Sequence, residues 1–318
     1  MIPLDQIRRA AALIASEAVR TPVVTSAELD ALVGASVFGK DESRQRAGSF
    51  KFRGAFNRLS AIPDDERPLG VVAVSSGNHG AAVACAAQIL GIEATVHIPA
   101  DVAPAKRALI EEFGARIVTF ERSTPDREVG ARRQVAETGA TFAHPFEDPL
   151  VMCGQGTAAL EFHEQVGPLD VLIVPMSGGG LMAGCASVMR QLDPDCELIG
   201  VEPADADDTR RSFEAGEVVR IAQPDTIADG LAVTSPGATT FPINRQLVSD
   251  VVTVSDDQLV DAMRVALDLL DRRLEPSGAA GLAALLDDPD RFADRRVGII
   301  LSGGNIDDQR FDALTSGA

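Results

Sequence analysis

The chain has 318 residues, 45% of them apolar and 24% charged, which is enough for about two domains with a sizeable core and lies outside the range of disordered chains. Its 29 basic and 47 acidic residues leave a formal charge of −18, a field that repels phosphate backbones and anionic lipid surfaces and so argues against nucleic-acid and membrane partners. No apolar run approaches the ~20 residues that span a bilayer, the four cysteines form no CxxC pair, and the absence of Trp and Tyr leaves little for stacking on bases.

In chain order, Leu4, Ile7, Ala11 and Ile14 recur at helical spacing and predict a surface helix where a secretory signal might be misread. Residues 71–74, 94–98 and 116–120 read as strands, and 78–90, 104–113 and 127–138 as helices. The alternation resumes with strands at 171–174 and 197–201 around a helix at 181–192, then a strand at 251–254, a helix from 256 to about 273 and a strand at 297–301. Repeated β-α-β units imply parallel sheets with helices on their faces. The two runs are separated by residues 142–156, with Pro145, Pro149 and Gly154, and the domain break is expected there. Residues 203–241, rich in Asp, Pro and Gly, read as a long excursion of the kind that often carries function. The scattered Cys85, Cys153, Cys185 and Cys196 read as buried free thiols of a reducing compartment, hence a cytoplasmic location.

Three segments carry chemistry. Ser177-Gly178-Gly179-Gly180-Leu181-Met182-Ala183 follows a strand and fits G-x-G-x-x-A, with Glu202 about 20 residues on. That spacing matches a dinucleotide fingerprint, but its physics is general, since glycines and the N–H groups of a helix start cradle any phosphate. Ser75-Ser76-Gly77-Asn78-His79-Gly80 forms a second such nest at a strand end, or simply a capped helix start. Gly48-Ser49-Phe50-Lys51-Phe52-Arg53-Gly54-Ala55 sets a lysine among apolar and small neighbours, which suits either a solvated or a buried, reactive amine.

With Ala143-His144-Pro145-Phe146, Gly154-Gln155-Gly156-Thr157, Thr226-Ile227-Ala228-Asp229-Gly230, Glu275-Pro276-Ser277-Gly278-Ala279 and Leu301-Ser302-Gly303-Gly304-Asn305, the chain resembles the fold-type II pyridoxal-phosphate enzymes from about Thr21 to Asp307. The resemblance is to the branch of serine/threonine dehydratases (ammonia-lyases) and serine racemases. It implies an α/β fold of the tryptophan synthase β kind, two domains with parallel-rich sheets flanked by helices. The large cofactor-binding domain is expected over 1–69 and 147–318, and a small mobile domain over 70–146. Ala47, Met176-Ser177 and Ala232-Val233-Thr234-Ser235-Pro236-Gly237 depart from the family pattern, the last of these near the expected substrate.

The resemblance also implies roles. Lys51 carries pyridoxal 5′-phosphate covalently with Phe50 beside it, and Ser177, Gly178, Gly179, Gly180 and Leu181 take the phosphate. Asn78 meets the ring hydroxyl and Ser302 the pyridine nitrogen. Ser75, Ser76, Asn78 and His79, helped by Arg127, receive the substrate carboxylate. Ser76 either only positions that carboxylate or acts as a second base opposite Lys51. Glu202, the Ala206 carbonyl and Asp208 resemble a site for Mg²⁺, or for Ca²⁺ or Mn²⁺, although a solvated acidic loop also fits them. The expected activity is β-elimination from L-serine or L-threonine to a 2-oxo acid and ammonia, with serine racemase and threo-3-hydroxyaspartate ammonia-lyase as alternatives. An NAD-dependent oxidoreductase or a non-catalytic amino-acid sensor would be different classes on such scaffolds. A homodimer is expected from the resemblance alone.

Overall fold

Short apolar runs become parallel strands, and the longer stretches between them become the helices that cover them. The computed structural model describes residues 1–75, 77–102, 104–121 and 128–316. The chain begins with α1 (Leu4–Ile14), β1 (Val23–Val24), α2 (Ala27–Val33), β2 (Ser36–Asp41) and α3 (Lys51–Ser60). Next come β3 (Val71–Val74), α4 (Asn78–Leu90), β4 (Ala94–Pro99), α5 (Pro104–Glu112), β5 (Arg116–Phe120), α6 (Val129–Thr138) and β6 (Thr141–Phe142). Then follow α7 (Pro149–Val166), β7 (Val171–Pro175), α8 (Gly180–Leu192), β8 (Glu197–Pro203), α9 (Asp208–Ala215), α10 (Thr240–Leu247) and β9 (Asp250–Val254). Last are α11 (Asp256–Leu270), α12 (Pro276–Asp287), β10 (Arg296–Leu301) and α13 (Asp308–Thr315).

Two sheets result, one ordered β1-β2-β10-β7-β8-β9 and the other β5-β4-β3-β6. Among the described residues every pairing between these strands is parallel except β1 on β2 at an edge. Every residue of β3, β4 and β7 is buried, as strands covered by helices on both faces must be. The apolar core divides in the same way: Ile173, Val201, Leu282 and Ile299 belong to the larger sheet, and Val71, Val83, Val96 and Ile110 to the smaller.

Some boundaries differ from the sequence reading, for local reasons. Residues 142–156 are not one irregular connection: Pro149 opens an 18-residue helix capped by the Asp148 side chain, and Gly154 lies inside it. A Cβ on Gly154 would stand 2.3 Å from the Arg53 carbonyl oxygen, so this glycine marks helix contact, with the backbones of α3 and α7 touching. The helix expected to reach residue 273 stops at Leu270, where Asp271 turns left-handed at φ 57°. Residues 203–241 carry α9 within an otherwise irregular path. In α1 the buried face is Ile7, Ala10 and Ile14. All four cysteines are free and buried.

Candidate active site

The carboxyl ends of β3, β7 and β10 meet at one open cleft, the usual place for ligands in parallel sheets. Lys51 enters it as the first residue of α3. Two left-handed residues, Ala47 at φ 55° and Gly48 at φ 72°, turn the chain just before it. The strand-like stretch that follows is pinned to the end of β10: Phe50 N donates to the Ser302 carbonyl at 3.1 Å, and Gly304 N to that of Gly48 at 3.0 Å. A Cβ on Gly48 would fall 2.0 Å from the Asn305 side-chain oxygen, so this turn admits no larger residue.

The Lys51 ammonium is partly buried, donates to the Pro145 carbonyl at 3.2 Å and lies 5.1 Å from the centre of the Phe50 ring. No carboxylate among the described residues pairs with it. Burial without a counter-charge draws its pKa from 10.5 to about 8. Of the two readings open in sequence, the structure has the desolvated amine.

Opposite stands the N-terminus of α8, thirteen residues long and capped by no side chain, so its first N–H groups have no partner within the helix. Ser177, Gly178, Gly179, Gly180 and Leu181 all line the cleft. Their carbonyls are held on the far side. Thr240 Oγ1 (2.5 Å) and Gly237 N donate to Gly178 O, and Asn244 Nδ2 donates to Gly179 O at 3.0 Å. A Cβ on Gly178 would sit 2.3 Å from the Phe146 ring, so the loop packs against an aromatic wall with only hydrogen at that carbon. A nest of N–H groups at a positive helix end, beside a depressed amine, matches a small phosphate-bearing aldehyde. Nothing in this arrangement requires a dinucleotide.

Ser302, buried at the end of β10, donates from Oγ to the Ser277 carbonyl at 3.4 Å and lines the cleft. Asn78, the first residue of α4, accepts from Asn305 Nδ2 at 2.8 Å and donates from Nδ2 to Glu275 Oε1 at 2.5 Å, leaving its second amide N–H unused in these contacts. Ser75 lines the cleft and accepts from Gly77 N at 3.2 Å. The His79 imidazole is buried and its Nε2 lies 2.8 Å from the Ala143 carbonyl; burial holds its pKa down at about 3. What His79 retains for a carboxylate is its main-chain N–H. Ser76 and Arg127 lie outside the described residues.

Glu202 and Asp208 lie near each other away from this cleft, at the start of α9, with Ala206 buried in the turn before it. Thr209 N and Arg210 N donate to the two Glu202 carboxylate oxygens at 3.0 and 2.9 Å. Both carboxylate oxygens of Asp208 are buried without a hydrogen-bond partner. Burial raises Glu202 to about 7 and, with Glu202 nearby, Asp208 to about 8. Among the described residues no three His, Cys, Asp or Glu side chains are grouped to hold a metal; this trio has two carboxylates and a main-chain carbonyl.

The expected site residues omitted Glu275, Phe146, Lys106 and Asp229, all of which line the cleft. Glu275 is 3% exposed and raised to about 7, chiefly by burial. A glutamate followed by proline reads locally as an ordinary helix start, and only its fold partner Asn78 shows otherwise. The atypical segment that begins at Ala232 does reach the cleft, through Ala232 and Val233.

A family model described as "Pyridoxal-phosphate dependent enzyme" matches residues 14–303. The chain is 48% identical over 298 residues to the L-threo-3-hydroxyaspartate ammonia-lyase of a Pseudomonas species, covering 94% of this chain and 93% of that enzyme. It is 42% identical over 309 residues to the serine racemase of Oryza sativa subsp. indica, covering 96% and 91%. The structure of maize serine racemase superposes with a TM-score of 0.93 at 40% identity, covering 99% of this chain and 97% of that one.

Proposed function

Because this chain belongs to the family of pyridoxal-phosphate-dependent enzymes, we propose that it performs β-elimination on a 3-hydroxy amino acid, releasing ammonia and a 2-oxo acid. The observation that carries the reading is the Lys51 amine, which lacks a carboxylate partner among the described residues, is drawn to about 8, and shares a cleft with an uncapped helix N-terminus. The donor set fits the cofactor chemically: an amine for its aldehyde, N–H groups of Gly178, Gly179, Gly180 and Leu181 with Ser177 for its phosphate, and the neutral Ser302 hydroxyl for its ring nitrogen. Phe50 shields the amine and Asn78 would hold the ring hydroxyl.

When bound, pyridoxal phosphate supplies an electron sink conjugated to the substrate α-carbon. The chain does the rest. Lys51 takes the proton from Cα, while the Ser75 hydroxyl and the main-chain N–H groups of Asn78 and His79 hold the carboxylate. Overall the Cα–H and Cβ–OH bonds break, a Cα=Cβ bond forms, and water hydrolyses the enamine to oxo acid and ammonia. Ser302, a hydroxyl where a carboxylate would hold a charged pyridinium, favours prompt loss of the β-substituent.

Racemisation is the second reading, favoured by 42% identity to a serine racemase. Ser76 would then return a proton on the face opposite Lys51, and Arg127 would assist the carboxylate in either case. Residues 70–146 form the part that closes over the cleft and excludes water. Glu202, the Ala206 carbonyl and Asp208 hold a divalent cation, Mg²⁺ first, a reading supported by the two unpartnered Asp208 oxygens. A cytoplasmic homodimer completes the proposal; among the described residues no helix is long and apolar enough to cross a membrane.

The test is to supply the purified protein with pyridoxal phosphate and assay oxo acid and ammonia from L-serine, L-threonine and threo-3-hydroxyaspartate. Release from none of the three overturns the reading. Proton exchange in deuterated buffer with chiral analysis of residual serine separates racemisation from elimination.

A further inference from the structure

Lys106, in the first turn of α5, lines the same cleft as Lys51, and its ammonium pairs with the Asp229 carboxylate across it. The pair is open to water: the Lys106 side chain is 22% exposed and that of Asp229 53%. Such pairs contribute little stability and exchange partners readily, because the released carboxylate is rehydrated at once. The cleft's other acid, Glu275, is buried and already hydrogen-bonded by Asn78; the Lys106 charge and that hydrogen bond both oppose the rise of its pKa, while Asp229 adds to it.

Charge then limits what can enter. An amino acid with a neutral side chain brings only its α-carboxylate, which the N–H groups at the start of α4 can meet. A dicarboxylic amino acid brings a second anion into a chain of charge −18, past Asp229 and Glu275. Among the described residues lining the cleft the cations are Lys51 and Lys106, and Lys51 is committed to the cofactor.

Resting on the elimination reading above, we infer that Lys106 is the specificity-determining cation of this site, exchanging the Asp229 carboxylate for the second carboxylate of a 3-hydroxy dicarboxylic amino acid. The exchange keeps one carboxylate on the ammonium, and the released Asp229 carboxylate turns to water. Asp229 guards the position in its absence and disfavours neutral side chains, which have nothing with which to displace it.

The test compares the holoenzyme with its Lys106→Met and Lys106→Arg variants on threo-3-hydroxyaspartate and L-serine. In Lys106→Met the ratio of kcat/KM between the two substrates is expected to fall about 10- to 100-fold, the range for losing a hydrogen bond to a charged group, with KM carrying the loss. Lys106→Arg is expected to recover most of the ratio. Calorimetric binding of aspartate against alanine should show the same selective loss without turnover. Equal losses for both substrates would make the pair a structural tie between the cleft walls and overturn the inference, as would an unchanged ratio. If the wild type turns over neither substrate, the elimination reading fails, and the contrast between aspartate and alanine still decides the role of Lys106.

Discussion

The Asn78 amide and the Glu275 carboxyl, 197 positions apart in the chain, meet at 2.5 Å on the floor of the cleft, and this contact joins the first turn of α4 to the start of α12. The residue proposed to hold the cofactor's ring hydroxyl is therefore oriented by a buried acid whose own pKa is raised to about 7.

Glu275→Gln keeps an acceptor for Asn78 and removes the charge. The folded carboxyl holds its proton up to about 7, the unfolded one only to 4.5, so the wild type loses stability as pH rises between those values. The variant should match the wild type near pH 4.5 and exceed it by roughly 3 kcal/mol at pH 8, from the rise from 4.5 to about 7 at about 1.4 kcal/mol per unit. Urea unfolding at the two pH values measures this; equal curves at pH 8 would remove Glu275 from the account.

Lys51 titrates in the opposite sense. Its folded pKa of about 8 lies below the ordinary 10.5, so the buried charge costs stability below about pH 8 and the penalty disappears as pH climbs toward 10.5. The rate at which cofactor-free protein takes up pyridoxal phosphate, followed by absorbance, should rise with pH around a midpoint near 8. Lys51→Met should take up none covalently and melt higher than the wild type at pH 7.

Arg53 lies two positions after Lys51, 1% exposed, with a bidentate pair to the fully buried Glu42 at 2.8 Å on both arms and a third contact to Glu161 at 3.0 Å. Replacing it by methionine strands the Glu42 carboxylate and should cost about 3–5 kcal/mol of stability. Adding Glu42→Gln should restore part of that in a denaturation experiment, because the stranded charge is gone.

Magnesium should raise the melting temperature in proportion to the logarithm of its concentration once sites fill, and a chelator should reverse the rise. Asp208→Asn should abolish the response, since the two oxygens without partners belong to that residue. A full response in the variant would place the cation elsewhere.

What was legible in the sequence follows the range of the forces involved. Strands such as β3 and β5 and the helix α4 have the expected bounds, because buried parallel strands and small-residue helices leave a local pattern. The glycine loop and Lys51 were also visible, since glycine at a helix start and lysine among apolar neighbours are local signals. The cap that starts α7 at Pro149 was missed although Asp148-Pro149 carries it, because Gly154 reads as a loop until Arg53 is known to lie against it. The turn at Asp271 leaves only a weak sequence signature: aspartate is enriched among left-handed non-glycine residues, yet most aspartates are not left-handed. Glu275 with Asn78, and Lys106 with Asp229, join residues more than a hundred positions apart, and no periodicity encodes such meetings.

The most direct measurement is borohydride reduction of the protein loaded with pyridoxal phosphate, followed by peptide mapping. The account requires one pyridoxyl group, borne by the peptide that contains Lys51, and loss of the visible absorbance in Lys51→Ala. A label on Lys106 or Lys40 with Lys51 unmodified, or no label at all, would contradict it.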